Sequence, residues 1–279
     1  MRLYFKECDT LTDFIIGLAL SFFISYAAYK RESLSISGFI LATVYGAGLY
    51  LFGGLYFFLA MISFFISSSL LSHFKKTKKS KYEDGNEKSG KRDYTQVIAN
   101  GFPSFLFGLL YYLTGNHIYI LGFSTALAAA NADTWASEIG LLSKKNPISI
   151  ITWKPIEKGL SGGISLLGTL ASLAGSAFIS FISLVGYIIR FGFKDYLLVY
   201  FFLSILGGFL GSIIDSILGA TVQAKYKRMD SRDITEKRYT KDIKNIICSG
   251  ISFVDNNFVN LSSGLLSSVI IIGFYYLFA

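Results

Sequence analysis

The sequence predicts an all-α fold, a bundle of about eight transmembrane helices around a polar cavity open to the cytoplasm. Three observations predict it. Hydrophobic residues make up 52% of the 279 positions and charged residues only 16%, where soluble domains carry about 25%. Apolar runs recur at the ~20-residue length that crosses a bilayer as a helix. Inside several runs, small and polar residues repeat at helical spacing, a face that must meet protein or water rather than lipid. The same composition excludes other classes. Cys8 and Cys248 are the only cysteines, too few for a disulfide scaffold. His73 and His117 are the only histidines and stand in no ligand-spaced cluster, which argues against zinc and against His-dependent catalysis.

The spans read as 11–29, 36–52, 54–72, 96–114, 117–140, 160–188, 196–222 and 256–278, within a single integral membrane domain, 1–279. The first does not read as a cleaved signal. Glu7, Asp9 and Asp13 stand where a basic n-region belongs, and no small-residue cleavage site follows. The stretch 36–72 is too long for one helix, and Gly53-Gly54 is the place for a tight hairpin. The fourth span carries Gln96, Asn100 and Ser104 at i, i+4 and i+8. The fifth ends in Asp133, Thr134 and Glu138. Its two acids are five residues apart, about 140° around a helix, so either the helix distorts or only one of them faces a common site. The sixth carries Ser161, Ser165, Gly168, Ser172 and Ser176, and opens on Lys158-Gly159-Leu160-Ser161-Gly162-Gly163. Glycines and free N–H groups at a helix N-terminus can cradle a phosphate. In the seventh, Gly208, Gly211, Ser212, Asp215, Gly219 and Gln223 fall in one stripe about 120° wide. The last repeats the pattern with Asn256, Asn260, Ser263 and Ser267, and Asp255 stands at its edge.

The charge supplies the orientation. The basic residues concentrate in the loops 73–95, 141–159 and 223–255 and at Lys30-Arg31, which hold 22 of the 26. With eight spans all four segments fall on one side, leaving Arg2, Lys6, Arg190 and Lys194 on the other. Positive loops face the cytoplasm, so both termini are expected outside a cell membrane. The net charge of +8 then reads as topology and attraction to anionic headgroups. The long loops lack the interleaved aromatics of a nucleic-acid surface, so no nucleic-acid partner is expected.

An ionised side chain at membrane depth costs about 2.5–3.5 kcal/mol. Asp133, Glu138 and Asp215 therefore ask for a reason. Glycine and serine stripes alone read as helix-packing seams, but a packing seam does not need a carboxylate. The simplest arrangement packs the four stripes around one polar cavity. Carboxylates and amide oxygens suit Mg²⁺; lysine, arginine and glycine-rich backbone suit phosphates. Together with a lipid-lined pocket they point to phosphoryl or nucleotidyl transfer to a lipid, chemistry that needs positioning more than a nucleophilic side chain. A transporter of a phosphorylated lipid or an ion remains the alternative, since intramembrane acids also mark ion paths. Against it, the sequence shows no internal repeat. A scaffold protein would leave Asp133 and Asp215 unexplained.

The segment Asn131-Ala132-Asp133-Thr134-Trp135-Ala136-Ser137-Glu138-Ile139-Gly140 resembles the signature of the transmembrane protein 19 family, which includes a plant phytyl-phosphate kinase. Three further blocks agree, in order: Ser67-Ser68-Ser69 with the basic loop running into Gly90 to Val97 and then Asn100-Gly101, Gly211 to Gln223, and Val254 to Asn260. Ser161 stands where the family has Asn. An Asp-Thr on a helix, then a basic loop, then Gly-Gly also resembles CTP-dependent phosphatidate cytidylyltransferases and dolichol kinases. The resemblance implies a kinase acting on an isoprenoid monophosphate, with CTP or another nucleoside triphosphate as donor and Mg²⁺ as cofactor. It implies Asp133, Asp215 and Glu138 as catalytic, and Asp133, Asp215 and Asp255 as metal-holding. Arg92, Lys158, Gly159, Ser161, Gly162 and Gly163 would bind phosphates. Gln96, Asn100, Thr134, Ser212, Gln223, Asn256, Asn257 and Asn260 would orient substrate or nucleotide. A homodimer is left open.

Overall fold

The computed structural model describes residues 7–74, 91–229, 233–240 and 243–278. Arg2, Lys6, Lys75, Lys76, Lys78, Lys79, Lys81, Lys88, Arg232 and Lys241, all used in the charge count, lie outside the described residues. Among those described are eight long helices: α1 (Glu7–Lys30), α2 (Ile36–Gly53), α3 (Leu55–His73), α4 (Tyr94–Thr114), α5 (Ile118–Gly140), α6 (Leu166–Phe191), α7 (Leu197–Thr221) and α8 (Asn256–Phe278). Gly54 makes the α2–α3 turn as expected. It takes the left-handed φ of 64° and donates its N–H to Tyr50 O at 2.7 Å, a conformation open to glycine at little cost.

Seven of these helices are long and apolar enough to cross a membrane; α5 is the one that falls short. Packing explains why it can. Helices α2, α4, α8, α7, α6 and α3 lie side by side in a closed ring, each against the next. α5 stands inside and packs on α3, α4, α6, α7 and α8, while α1 lies outside against α2. Thirteen residues of α5 are buried against six of α2. Lipid demands apolar side chains, but a helix that meets only other helices selects small and polar ones. α5 has them in Gly122, Ser124, Thr125, Ala126, Ala128 and Ala129, all buried.

The stripes of α6 and α7 turn out to be packing seams. A Cβ on Gly208 would stand 2.3 Å from Ser176 Oγ and 2.6 Å from Ala128 Cβ, and one on Gly211 would stand 2.4 Å from Ala129 Cβ. The three helix backbones approach too closely there to leave a cavity. The sixth span is also corrected. Its helix starts at Leu166, capped by Ser165, whose Oγ accepts from Gly168 N at 3.1 Å. Residues 160–165 instead belong to a hairpin in which β1 (Ile148–Ser149) pairs antiparallel with β2 (Gly163–Ile164). Gly162 and Gly163 are therefore not at a helix N-terminus. Gly162 has φ 86°, and a Cβ on it would meet Ala220 at 2.6 Å, so this turn lies hard against the end of α7. In the last basic loop β3 (Lys225–Lys227) is the centre of a three-stranded sheet, between β4 (Ile234–Thr235) and β5 (Ile246–Ser249).

At the Gly54 end the interior is filled with aromatic rings. Phe57 stacks on Phe123 with centroids 4.0 Å apart, within a buried cluster that includes Leu49, Phe107 and Leu127. The cavity lined by Arg92 opens, and the basic loops emerge, at the other end.

Candidate functional site

The functional candidates gather at the end where the basic loops emerge. Asp93 caps α4 there, its Oδ1 accepting from Thr95 N at 3.0 Å and Gln96 N at 3.1 Å. The segment before it is held as a strand-like tie to the α1–α2 turn: Arg92 N donates to Ser33 O at 3.1 Å and Ser35 N to Arg92 O at 2.9 Å. Gly38 makes room for this tie, because a Cβ there would stand 2.2 Å from Arg92 O. Arg92 is thus fixed by its backbone, and its guanidinium lies over the Phe65 ring at 5.8 Å.

Beside Arg92 is a cavity of about 390 Å³, the size of a small-ligand site. From the predicted set it gathers Arg92, Gln96, Asn100, Thr134, Glu138, Asn256, Asn257 and Asn260. Glu138 Oε1 accepts from Ser72 Oγ at 2.6 Å. Burial pushes the Arg92 guanidinium below its ordinary value, and the Glu138 charge opposes that shift. The amides form a second wall. Asn257 Nδ2 donates to Thr95 Oγ1 at 3.1 Å, and the side-chain amides of Asn100 and Asn260 meet at 3.3 Å. With its NH₂ turned to Asp215, Asn260 donates to Oδ2 at 2.8 Å and to Asn256 O at 3.2 Å. At the mouth, Lys91 Nζ bonds Glu32 Oε1 at 2.9 Å.

The question of the two α5 acids is resolved without distortion. The helix runs unbroken to Gly140, and Thr134, Ser137 and Glu138 line the cavity while Asp133 does not. Ala129 packs on Gly211 of α7. One turn further along each of these two helices, towards the Arg92 end, stand Asp133 and Asp215. Asp215 is buried, holds Ser263 Oγ at 3.3 Å, and touches the cavity through Asn260. Ser212, one turn before it, is buried and does not line the cavity. Among the described residues no three His, Cys, Asp or Glu side chains come together as a metal cage. Asp255, expected with the metal, accepts from Phe258 N at 2.8 Å in the first turn of α8, a helix-capping contact.

The remaining predicted phosphate ligands form a separate patch at the end of α7. Lys158 Nζ donates to Ser143 O. A Cβ on Gly219 would stand 2.8 Å from Ser161 Cβ, and buried Gln223 follows on the same turn. The Ser161 N–H points at a carboxylate: Glu236 Oε1 accepts it at 2.6 Å. Lys225 Nζ donates to Ser161 O at 3.2 Å. Burial pushes Lys225 below its ordinary value, partly offset by Glu236. Glycine-rich turn and anion have thus found each other, with a side chain as the anion.

Sequence reasoning missed α1 and α3 as cavity walls. Ser21 and Ser25 of α1 and Ser69, Ser72 and His73 of α3 line it. Ser69, Ser72 and His73, at i, i+3 and i+4, were the available signal. Other residues of the signature segment hold the frame. Asn131 is buried, accepting from Ser67 Oγ at 2.9 Å and donating to Gly175 O at 2.7 Å, so it ties α3 to α6 across α5.

This combination of ring, inner helix and cavity can be set beside known proteins. Residues 19–268 match the family described as integral membrane protein DUF92. The chain belongs to the DUF92 family of integral membrane proteins. Among its relatives is Protein PGR of Arabidopsis thaliana, 33% identical over 91% of this chain and 93% of that protein. The uncharacterized membrane protein MJ0933 of Methanocaldococcus jannaschii is 33% identical over 78% of this chain and 86% of its own. Protein VTE6, chloroplastic, of Arabidopsis thaliana is 28% identical over 53% of this chain and 46% of its own. No solved structure matches this DUF92 protein.

Proposed function

We propose that the protein is a membrane kinase that transfers a phosphoryl group from a nucleoside triphosphate, CTP in the first instance, to an isoprenoid monophosphate. The observation that carries the reading is the 390 Å³ cavity, with a cation and amides at its mouth and apolar walls beneath. An amphiphile with a phosphate head matches that division. The substrate class follows the resemblance to the family that includes a phytyl-phosphate kinase, and the relationship to VTE6 is compatible with it.

Arg92, with Lys91 beside it, binds the lipid phosphate by charge-assisted hydrogen bonds. Gln96, Asn100, Asn257 and Asn260 orient it. The turn 158–163 seats the donor's phosphates, which displace Glu236 from Ser161 N. The end of α5 stands between the two seats, presenting Glu138 to the cavity and Asp133 to the α7 side. A lipid phosphate oxygen attacks the terminal phosphorus, the nucleoside diphosphate leaves, and the lipid diphosphate remains. Mg²⁺ usually takes one or two carboxylates and completes its shell with phosphates and water, so the lack of a three-residue cage does not disqualify these donors. Asp133 and Asp215 would hold the ion, and its chemistry there is neutralisation of phosphate charge. By the positive loops, the Arg92 end faces the cytoplasm.

The test is direct. Purified protein in lipid vesicles is incubated with phytyl or geranylgeranyl monophosphate, Mg²⁺ and each nucleoside triphosphate in turn. The expected product is the isoprenyl diphosphate. No diphosphate with any donor would sink the reading, and flux of the unmodified lipid phosphate across the vesicle would replace it with transport.

A further inference from the structure

The cavity is much deeper than a phosphate needs. Along α5 its lining runs from Glu138 to Leu127, eleven residues of unbroken helix or about 16 Å. The other walls keep pace: α2 lines it as far as Leu49, α3 as far as Phe58 and α1 as far as Ser21. Every titratable group that marks the mouth is left behind at the Arg92 end. The deep half is walled by Ile24, Tyr45, Leu49, Phe58, Met61 and Leu127. Of the serine hydroxyls that reach it, Ser25 Oγ meets Thr43 Oγ1 at 2.6 Å and Ser104 Oγ donates to Gly101 O at 2.8 Å, which leaves Ser21 Oγ buried with no hydrogen-bond partner among the described residues.

The deep half ends blind. Leu49 and Leu127 are both buried, in the same packed cluster as the Phe57–Phe123 stack. A Cβ on Gly108 would stand 3.2 Å from Leu49 Cδ2 and 3.4 Å from Phe57 Cε2, so no channel continues past Leu49. The side wall is also unusual. α1 lies outside the ring, yet Ser21, Ile24 and Ser25 reach the cavity. They do so through the space between α2 and α3, where Ser21 and Met61 both crowd Gly46.

We propose that the deep half is a binding site for one apolar tail, and that its floor, Leu49 and Leu127, sets the longest tail the protein accepts. The ligand class is a single-chain amphiphile with a phosphate head, its tail lying along α5 beneath α1. This rests on the reading of the mouth as a lipid-phosphate seat, and it adds the residues that select among such lipids. A pocket that accepts a chain up to its floor penalises added carbons beyond it steeply.

The test measures binding of geranyl, farnesyl, geranylgeranyl and longer polyprenyl monophosphates to the purified full-length protein, without nucleotide, by native mass spectrometry. Wild type is compared with Leu49→Ala, which deepens the floor, and with Met61→Trp, which fills the chamber from the side. Affinity should climb with tail length to a limit and then fall about tenfold or more. Leu49→Ala should move the limit to longer tails and Met61→Trp to shorter ones. A limit at the same length in all three proteins, affinity that keeps rising in the wild type, or no binding of any member overturns the proposal. If Leu49→Ala fails to fold, Ile24→Trp joins Met61→Trp and the shortened limit is the deciding result. A length limit without phosphoryl transfer would sink the kinase reading and leave the tail site standing; transfer indifferent to tail length would do the reverse.

Discussion

Gly38→Ala is a one-methyl perturbation aimed at the backbone that carries Arg92. The added Cβ would stand 2.2 Å from Arg92 O and 3.2 Å from Arg92 C. Relief to ordinary van der Waals contact requires a shift of about 1 Å, and both obstacles are backbone atoms that no rotamer change can move. The tie that must yield includes the bonds from Ser35 N to Arg92 O and from Arg92 N to Ser33 O. Overpacking of this kind costs about 1–3 kcal/mol. The helix propensity of alanine returns at most about 1 kcal/mol, and less in a first turn, so the net is a loss of about 1–2 kcal/mol. Thermal unfolding in detergent should fall by a few degrees. A displacement of about 1 Å at a positioned group can cost about 100-fold in turnover, so isoprenyl monophosphate phosphorylation should suffer far more than stability. Gly273→Ala is the control, since nothing lies within 4 Å of its added Cβ. If Gly38→Ala melts and turns over like wild type while Gly273→Ala does too, the account of how Arg92 is held is wrong.

Three further outcomes are expected. Asp133→Asn and Glu138→Gln should each lower turnover by about 100-fold or more while leaving the melting profile close to wild type; turnover within a factor of a few of wild type would remove the residue from the proposed machinery. Glu236→Gln weakens the resident anion at Ser161 N and should lower the apparent KM for the nucleotide, with an unchanged or raised KM counting against the 158–163 turn as the phosphate seat. Burial holds Lys225 below its ordinary value of 10.5, so its charged form penalises the fold below the folded pKa. That penalty is relieved as pH rises from the folded pKa towards 10.5, and hydrogen exchange in Lys225–Lys227 should slow over that interval relative to Lys225→Met.

Much of the bundle was legible in the sequence because seven of the eight helices had to satisfy lipid by themselves. The Gly53-Gly54 turn and the lining residues of α4 and α8 were visible on the same grounds. What misled was the extension of the cavity wall along the whole α7 stripe. Gly208 and Gly211 serve close backbone approach, as the packing-seam reading of the α6 stripe at Ser176 already had it, and periodicity cannot tell contact from space. The wall on α1 escaped notice because Ser21 and Ser25 look unremarkable in an apolar helix, and on α3 Ser69 was read only as part of the resemblance while its spacing to Ser72 and His73 went unused. The glycine turn at 158–163 was read as the opening of a helix, but pairing of Ser149 with Gly163 delays the helix to Leu166. That long-range pairing leaves no local trace. Glu138 and Asp133 could not be ranked from the sequence because their assignment depends on which neighbours surround α5.

The enclosed position of α5 also bears on how the chain is made. Hydrophobic segments pass into the bilayer according to their own composition, and α5 alone among the eight falls short of that standard. Its acids, Asp133 and Glu138, add to the cost of insertion, Asp133 more than Glu138 because it lies deeper from the helix end. It therefore gains more than the other helices from meeting partners as it enters the bilayer. α4 precedes it and α6 follows it, and both pack directly on it, so its neighbours in the chain are also the neighbours that cover its polar side chains. For this helix biogenesis and tertiary folding are coupled, and a seam mutation at Gly211 or Ser176 is expected to raise the fraction of chains with α5 wrongly placed.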